Sequence, residues 1–71
     1  MNPTVLVFRG TWAIEGSDEH GRHSTWAEGP LPYDPESGRK LGLLLRQAAQ
    51  CGRDEAVKLL ADYSVASRAK A

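Results

Sequence analysis

The spacing of hydrophobic positions changes character near the middle of the chain. Thr4 to Glu15 (TVLVFRGTWAIE) has no helical period and is rich in β-branched and aromatic residues, so it reads as a strand. Alternation puts Leu6, Phe8, Trp12 and Ile14 on one face and Val5, Val7, Arg9, Thr11 and Ala13 on the other. Gly10 marks a bend or bulge within it. Gly16 to Arg22 is a polar loop bounded by glycines. His23 to Glu28 (HSTWAE) alternates again, with Ser24, Trp26 and Glu28 opposite His23, Thr25 and Ala27. The simplest pairing is an antiparallel hairpin in which Trp12 and Trp26 approach across the strands. Gly29-Pro30-Leu31-Pro32 stops the second strand, because neither proline can donate to a ladder; Leu31 to Tyr33 runs on as a short edge segment.

Beyond this point the period becomes helical. Leu41, Leu44, Leu45, Ala48 and Cys51 recur at spacings of three and four. Gly52 stands where a left-handed residue would end that helix, and Asp54 can cap a second one with Ala56, Val57, Leu60 and Tyr63 on its apolar face. Asp34-Pro35-Glu36-Ser37-Gly38 has two readings. It suits a helix start, with Asp34 as N-cap and Pro35 at the first position, and it also suits a tight turn. The turn, with a regular helix from about Arg39, is the preferred expectation.

The pattern predicts a single α+β domain over residues 1–71: a small antiparallel sheet of two or three strands, then an antiparallel αα-hairpin on one face. The hairpin region spans 4–28, a Pro/Gly connection 29–38, the helix pair 39–67 and a fraying tail 68–71. Leu6, Phe8, Ile14, Leu41, Leu44, Leu45, Ala48, Val57 and Leu60 are the expected core. Ala48 to Leu60 (AAQCGRDEAVKLL) resembles the middle of an ankyrin repeat in its double alanine, glycine and V-K-L-L run. The family's Thr-Pro-Leu-His opening is replaced by Leu43-Leu44-Leu45-Arg46, and one repeat cannot bury its own face. The resemblance therefore implies a tightly packed helix pair and no ankyrin-type function.

Composition sharpens the picture at three points. A chain of 71 residues with 41 % hydrophobic residues can form one small core, and a homodimer or another partner is a ready source of further burial. One cysteine, Cys51, gives no intramolecular disulfide and favours a reducing compartment; with no targeting signal or span-length apolar run, a cytoplasmic protein without membrane contact is expected. The net charge of zero divides unevenly. Residues 1–38 hold two basic against six acidic side chains, and residues 39–71 hold seven basic against three acidic. Either the halves attract each other or one presents a charged face to a partner.

Catalytic and cofactor chemistry has little to stand on. Asp18, Glu19, His20 and His23 are metal-ligand types, but they lie in a polar loop with no second ligand pair, and a solvated turn is the simpler reading. Cys51 falls on an apolar stripe, where an inert thiol is normal. No phosphate-binding glycine loop, nucleophile elbow or His-Glu-x-x-His occurs. The expectation is a protein that is not an enzyme, with no catalytic residues, metal or other cofactor.

Two surfaces remain. Asp18, Glu19, Glu28 and Asp34 with Trp26 form an acidic partner-binding candidate, suited to a basic groove on a nucleic-acid-handling complex. Arg39, Arg46 and Arg53 form a basic candidate for a partner or, less favoured, for nucleic acid directly. The expected function is that of a small binding inhibitor or regulator of phage or mobile-element type, comparable in size and character to anti-CRISPR proteins. That comparison is analogy, with no motif behind it. The alternatives are a small nucleic-acid-binding regulator and, more weakly, a metal-stabilised module.

Overall fold

A computed structural model of the protein describes residues 3–65. Three strands come first: β1 (Thr4–Phe8), β2 (Thr11–Ser17) and β3 (His23–Pro30), paired antiparallel in the order β1-β2-β3. Two helices follow, α1 (Pro35–Ala48) and α2 (Arg53–Leu59). The small antiparallel sheet followed by a helix pair is the expected α+β architecture. The third strand is β1, however, and not the Leu31 to Tyr33 segment, which has no strand structure.

The single strand expected over residues 4–15 is a hairpin. Arg9 and Gly10 both have positive φ (53° and 78°), and Phe8 pairs with Thr11 across them. A two-residue turn with both central residues left-handed matches the right-handed twist of the flanking strands. The turn also changes the parity of the faces. Val7 stands opposite Trp12 and Val5 opposite Ile14, so these four share one face; Leu6 and Phe8 join Ala13 and Thr11 on the other. Leu6 and Phe8, expected in the core, are 42 % and 69 % exposed, and Val7 on the core face is also exposed, because the helix layer does not extend over β1.

The core lies on the Trp12–Ile14 face. Trp12, Ile14, Trp26, Ala27, Leu41, Leu45, Ala48, Ala56 and Leu60 form one buried cluster, with Leu31, Leu44, Leu59 and Tyr63 packed around it. Ile14, Leu41, Leu45, Ala48 and Leu60 thus stand where the sequence places them, Leu44 is partly buried, and Val57 is exposed. Trp26 enters this cluster through a bulge. Ile14 pairs with Ala27 and Glu15 with Thr25, which leaves Trp26 as the extra residue and turns both Trp26 and Ala27 inward. Each indole lies over a glycine of the adjacent strand: Trp12 over its partner Gly29, and Trp26 over Gly16. At roughly 150–250 Å² per indole, burial of each stabilises the fold by on the order of 4–6 kcal/mol.

The helix boundaries follow local chemistry. Asp34 is the N-cap of α1, in extended conformation, and its carboxylate accepts from the Ser37 N–H at 2.9 Å, with Pro35 in the first turn. Of the two readings of residues 34–38, the helix start is the one adopted, so α1 begins four residues before Arg39. Gly52 has φ −79° and is the N-cap of α2 without a side-chain hydrogen bond. It is not the left-handed C-terminal residue expected, and Asp54 sits inside the helix rather than capping it. The expected continuation of the helix pair to residue 67 extends past α2, and residues 66–67 and the tail 68–71 lie outside the described residues.

Two outcomes follow. A Cβ at Gly29 would clash with the Tyr63 backbone carbonyl, whereas Gly42, inside α1, faces open space. Gly29→Ala should lower stability by about 1–3 kcal/mol and Gly42→Ala raise it by about 0.5–1 kcal/mol, both read from urea unfolding followed by tryptophan fluorescence. The backbone N–H of Ser37, and then its hydroxyl, hold the Asp34 carboxyl below its ordinary value of 3.8. A depressed folded-state pKa gives stability that is present above the ordinary value and lost as pH falls through the folded one. Asp34→Asn keeps a cap at every pH, so wild type should lose melting temperature relative to this variant as pH drops below about 4.

Candidate functional site

The sequence-expected acidic residues do not converge on one face. Asp18 organises the β2–β3 loop: its Oδ1 accepts from His20 N at 2.8 Å and Arg22 N at 2.9 Å, and Gly21 takes a positive φ to close the turn. Glu19 is exposed beside it. Glu28 is exposed near the opposite end of β3, five residues beyond His23, or about 17 Å along an extended strand. Asp34 is engaged in capping α1. Trp26 is 6 % exposed and belongs to the core, so it offers no partner surface; the bulge that turns it inward is the reason.

The basic candidates also divide. Arg39 and Arg46 are exposed on α1 seven residues apart, which is two turns and about 10 Å along one face, with exposed Lys40 and Leu43 between them. Arg53 opens α2, its Nε 3.8 Å from Asp54, and lines a shallow cleft of about 230 Å³ together with Asp18, Glu19 and Glu55. The acidic loop and one arginine of the basic set are therefore neighbours in the fold.

The His and Cys side chains are accounted for locally. His23 Nε2 lies 3.0 Å from Glu15 Oε1 on the outer face of the sheet, His20 lies 3.6 Å from Glu19, and Cys51 Sγ donates to the Gln47 carbonyl at 3.3 Å. Among the described residues no three His, Cys, Asp or Glu side chains converge to hold a metal ion. No described helix is long and apolar enough to cross a membrane.

A more developed concavity lies at the other end of the sheet. Two backbone hydrogen bonds build it. Leu31 N donates to Gly10 O at 2.8 Å, strapping the Pro30–Pro32 segment beside the β1–β2 turn, and Val65 N donates to Glu28 O at 2.9 Å, laying the chain after α2 along the β3 edge. Between these straps is a groove of about 650 Å³, within the usual range for ligand sites. Pro30, Leu31, Pro32, Tyr33, Tyr63 and Val65 line it, with Arg9 and Asp62 contributing opposite charges. Tyr33 is fully exposed and Tyr63 half-buried. The segment around Tyr33 bends into α1 without helix or strand of its own, since prolines at 30, 32 and 35 fix φ and disfavour helix in the residues before them.

Tyr33 stands out in the sequence as a large amphipathic residue, but the groove around it does not. Its walls come from the first turn, the post-β3 segment and the post-α2 segment, which only the tertiary hydrogen bonds bring together. Comparison of the chain with protein-family models, curated proteins and solved structures gives no match.

Proposed function

We propose that this chain is a non-enzymatic protein-binding regulator, of the size and character of the small anti-CRISPR inhibitors, that acts by covering part of a partner's surface. The observation that carries the reading is the Tyr33–Tyr63 groove. It combines an apolar floor, two tyrosines, an arginine and a carboxylate in a concavity held by backbone hydrogen bonds. Tyrosine and arginine are the residue types that dominate binding energy at protein interfaces, and proline-flanked aromatics lose little conformational freedom on binding. A peptide segment or loop of the partner, apolar with a charged group able to meet Arg9 or Asp62, suits this lining.

The version in which acidic residues occupy a basic nucleic-acid channel of the partner draws on Asp18, Glu19 and Glu28. Their separation along β3 makes it a weaker basis than the groove. The second reading, a nucleic-acid-binding regulator, draws on Arg39, Lys40 and Arg46, all exposed on one helix.

Affinity capture from extract of the native host, with Tyr33→Ala and the triple reversal Asp18→Lys/Glu19→Lys/Glu28→Lys run beside wild type, separates these versions. The fully exposed Tyr33 can be truncated with little effect on folding, so the groove reading expects a partner held by wild type and by the charge reversal but weakened at least about tenfold by Tyr33→Ala. Equal capture by Tyr33→Ala removes the groove, and loss only with the charge reversal restores the acidic face. For the second reading, a gel-shift series over salt should show retardation at low salt that is lost when Arg39, Lys40 and Arg46 become alanine. An unretarded probe at low salt ends that reading.

A further inference from the structure

Among the described residues the edge strand β1 is an uncovered apolar feature of the fold. Thr4-Val5-Leu6-Val7-Phe8 carries no charge, and all five residues are exposed. Its one substantial neighbour is β2, because the helices pack over β2 and β3. Edge strands are normally blunted by charges, prolines, bulges or a covering segment, since their free N–H and C=O groups invite another strand. Residues 4–8 hold no charge, proline or bulge, and no segment among the described residues covers the strand.

We propose that two copies of the chain pair through β1, antiparallel, with the twofold axis at Leu6, to make one continuous six-stranded sheet. The register follows from the hairpin. A two-residue turn makes Phe8/Thr11 a hydrogen-bonded pair, so Leu6/Ala13 and Thr4/Glu15 are bonded pairs as well. The N–H and C=O groups of Val5 and Val7 therefore point away from β2. With Leu6 opposite Leu6 of the second copy, Val5 faces Val7 twice over, and the four free donors meet the four free acceptors. Shifting the axis to Val5 would set Val7 against Pro3, which has no N–H, and shifting it to Val7 would set Val5 against the Arg9 turn.

Three observations favour a second copy over a different partner strand. The uncharged strand meets itself without like-charge repulsion. The strand is its own complement in the one register that satisfies every free group. The twofold contact uses the β1 edge of both copies, so it closes at two, and at the opposite edge Val65 donates to Glu28 on β3. Pairing would bring Val5 and Val7 of both copies together on the helix side and the Leu6 and Phe8 side chains together on the other. One five-residue strand is a small interface, which sets a weak, reversible association with a dissociation constant of micromolar order or above. The groove at Tyr33 is lined by Arg9 and Gly10 of the adjoining turn and by no residue of β1 itself, so the pairing and the groove use different residues of this chain.

Sedimentation equilibrium of the full chain from about 10 μM to 1 mM, with amide hydrogen exchange by NMR at both ends of that range, tests the proposal. A monomer–dimer equilibrium is expected, with the Val5 and Val7 amides protected only at high concentration and the Leu6 amide at both. Val7→Pro removes two of the four intermolecular donors and leaves the β1–β2 ladder intact, so it should weaken the dimer at least about tenfold. Should that variant not fold, Val7→Lys, at a side chain 60 % exposed, sets two charges beside the axis and should likewise give a monomer. A wild-type chain that stays monomeric at 1 mM overturns the proposal. So does a dimer whose Val5 and Val7 amides exchange freely, or one that a folded Val7 variant leaves unchanged.

Discussion

Each of the two tryptophans lies on a glycine of the neighbouring strand, and the rest of the fold is arranged around that reciprocal contact. Trp12 of β2 covers Gly29 of β3, while Trp26 of β3 covers Gly16 of β2. A side chain at Gly16 would run into the Trp26 ring, and one at Gly29 would crowd Trp12 and clash with the Tyr63 backbone carbonyl. With glycine beneath them, both indoles lie low enough for Leu41, Leu45, Ala56 and Leu60 to close over the same cluster. The contact has a cost. Both indole N–H groups are buried without a partner among the described residues, at about 1–3 kcal/mol each, but ring burial outweighs this. The indoles serve as shape here, and their polarity is tolerated.

The same arrangement explains why the molecule is lopsided. The bulge at Trp26 draws the core toward β2 and β3, and α2 packs against β3. Two short helices are enough to cover that side but not β1 as well. The strand richest in aliphatic residues thus stays at the margin, while the chain after α2 runs along the far edge and completes the groove. An open apolar edge and a tyrosine-lined groove are two products of one packing decision.

The fold class was legible because it rests on period: residues 41–60 repeat at three and four, residues 4–28 do not. The face of the first strand was not legible. Arg-Gly is a weaker hairpin signal than Asn-Gly, and reading through it kept Leu6 and Phe8 in step with Trp12 and Ile14. The turn puts them out of step, since Phe8 pairs with Thr11. At Asp34-Pro35 both a cap and a turn were visible, and only the Ser37 hydrogen bond decides between them. Trp26 read as a surface residue because a bulge has no counterpart in simple alternation. Of the candidate site, Tyr33 could be singled out only by its type, a large amphipathic aromatic. Its groove could not, because it depends on contacts between segments remote in sequence.

The tryptophan–glycine contact can be observed directly by NMR, through the Hα resonances of Gly16 and Gly29 and their nuclear Overhauser effects. Protons held against the face of an indole are shifted upfield by its ring current. Upfield-shifted Hα signals are expected at both glycines, with cross-peaks from Gly16 to the Trp26 ring and from Gly29 to the Trp12 ring. Hα shifts at ordinary values, with no cross-peak to either indole, would contradict the contact.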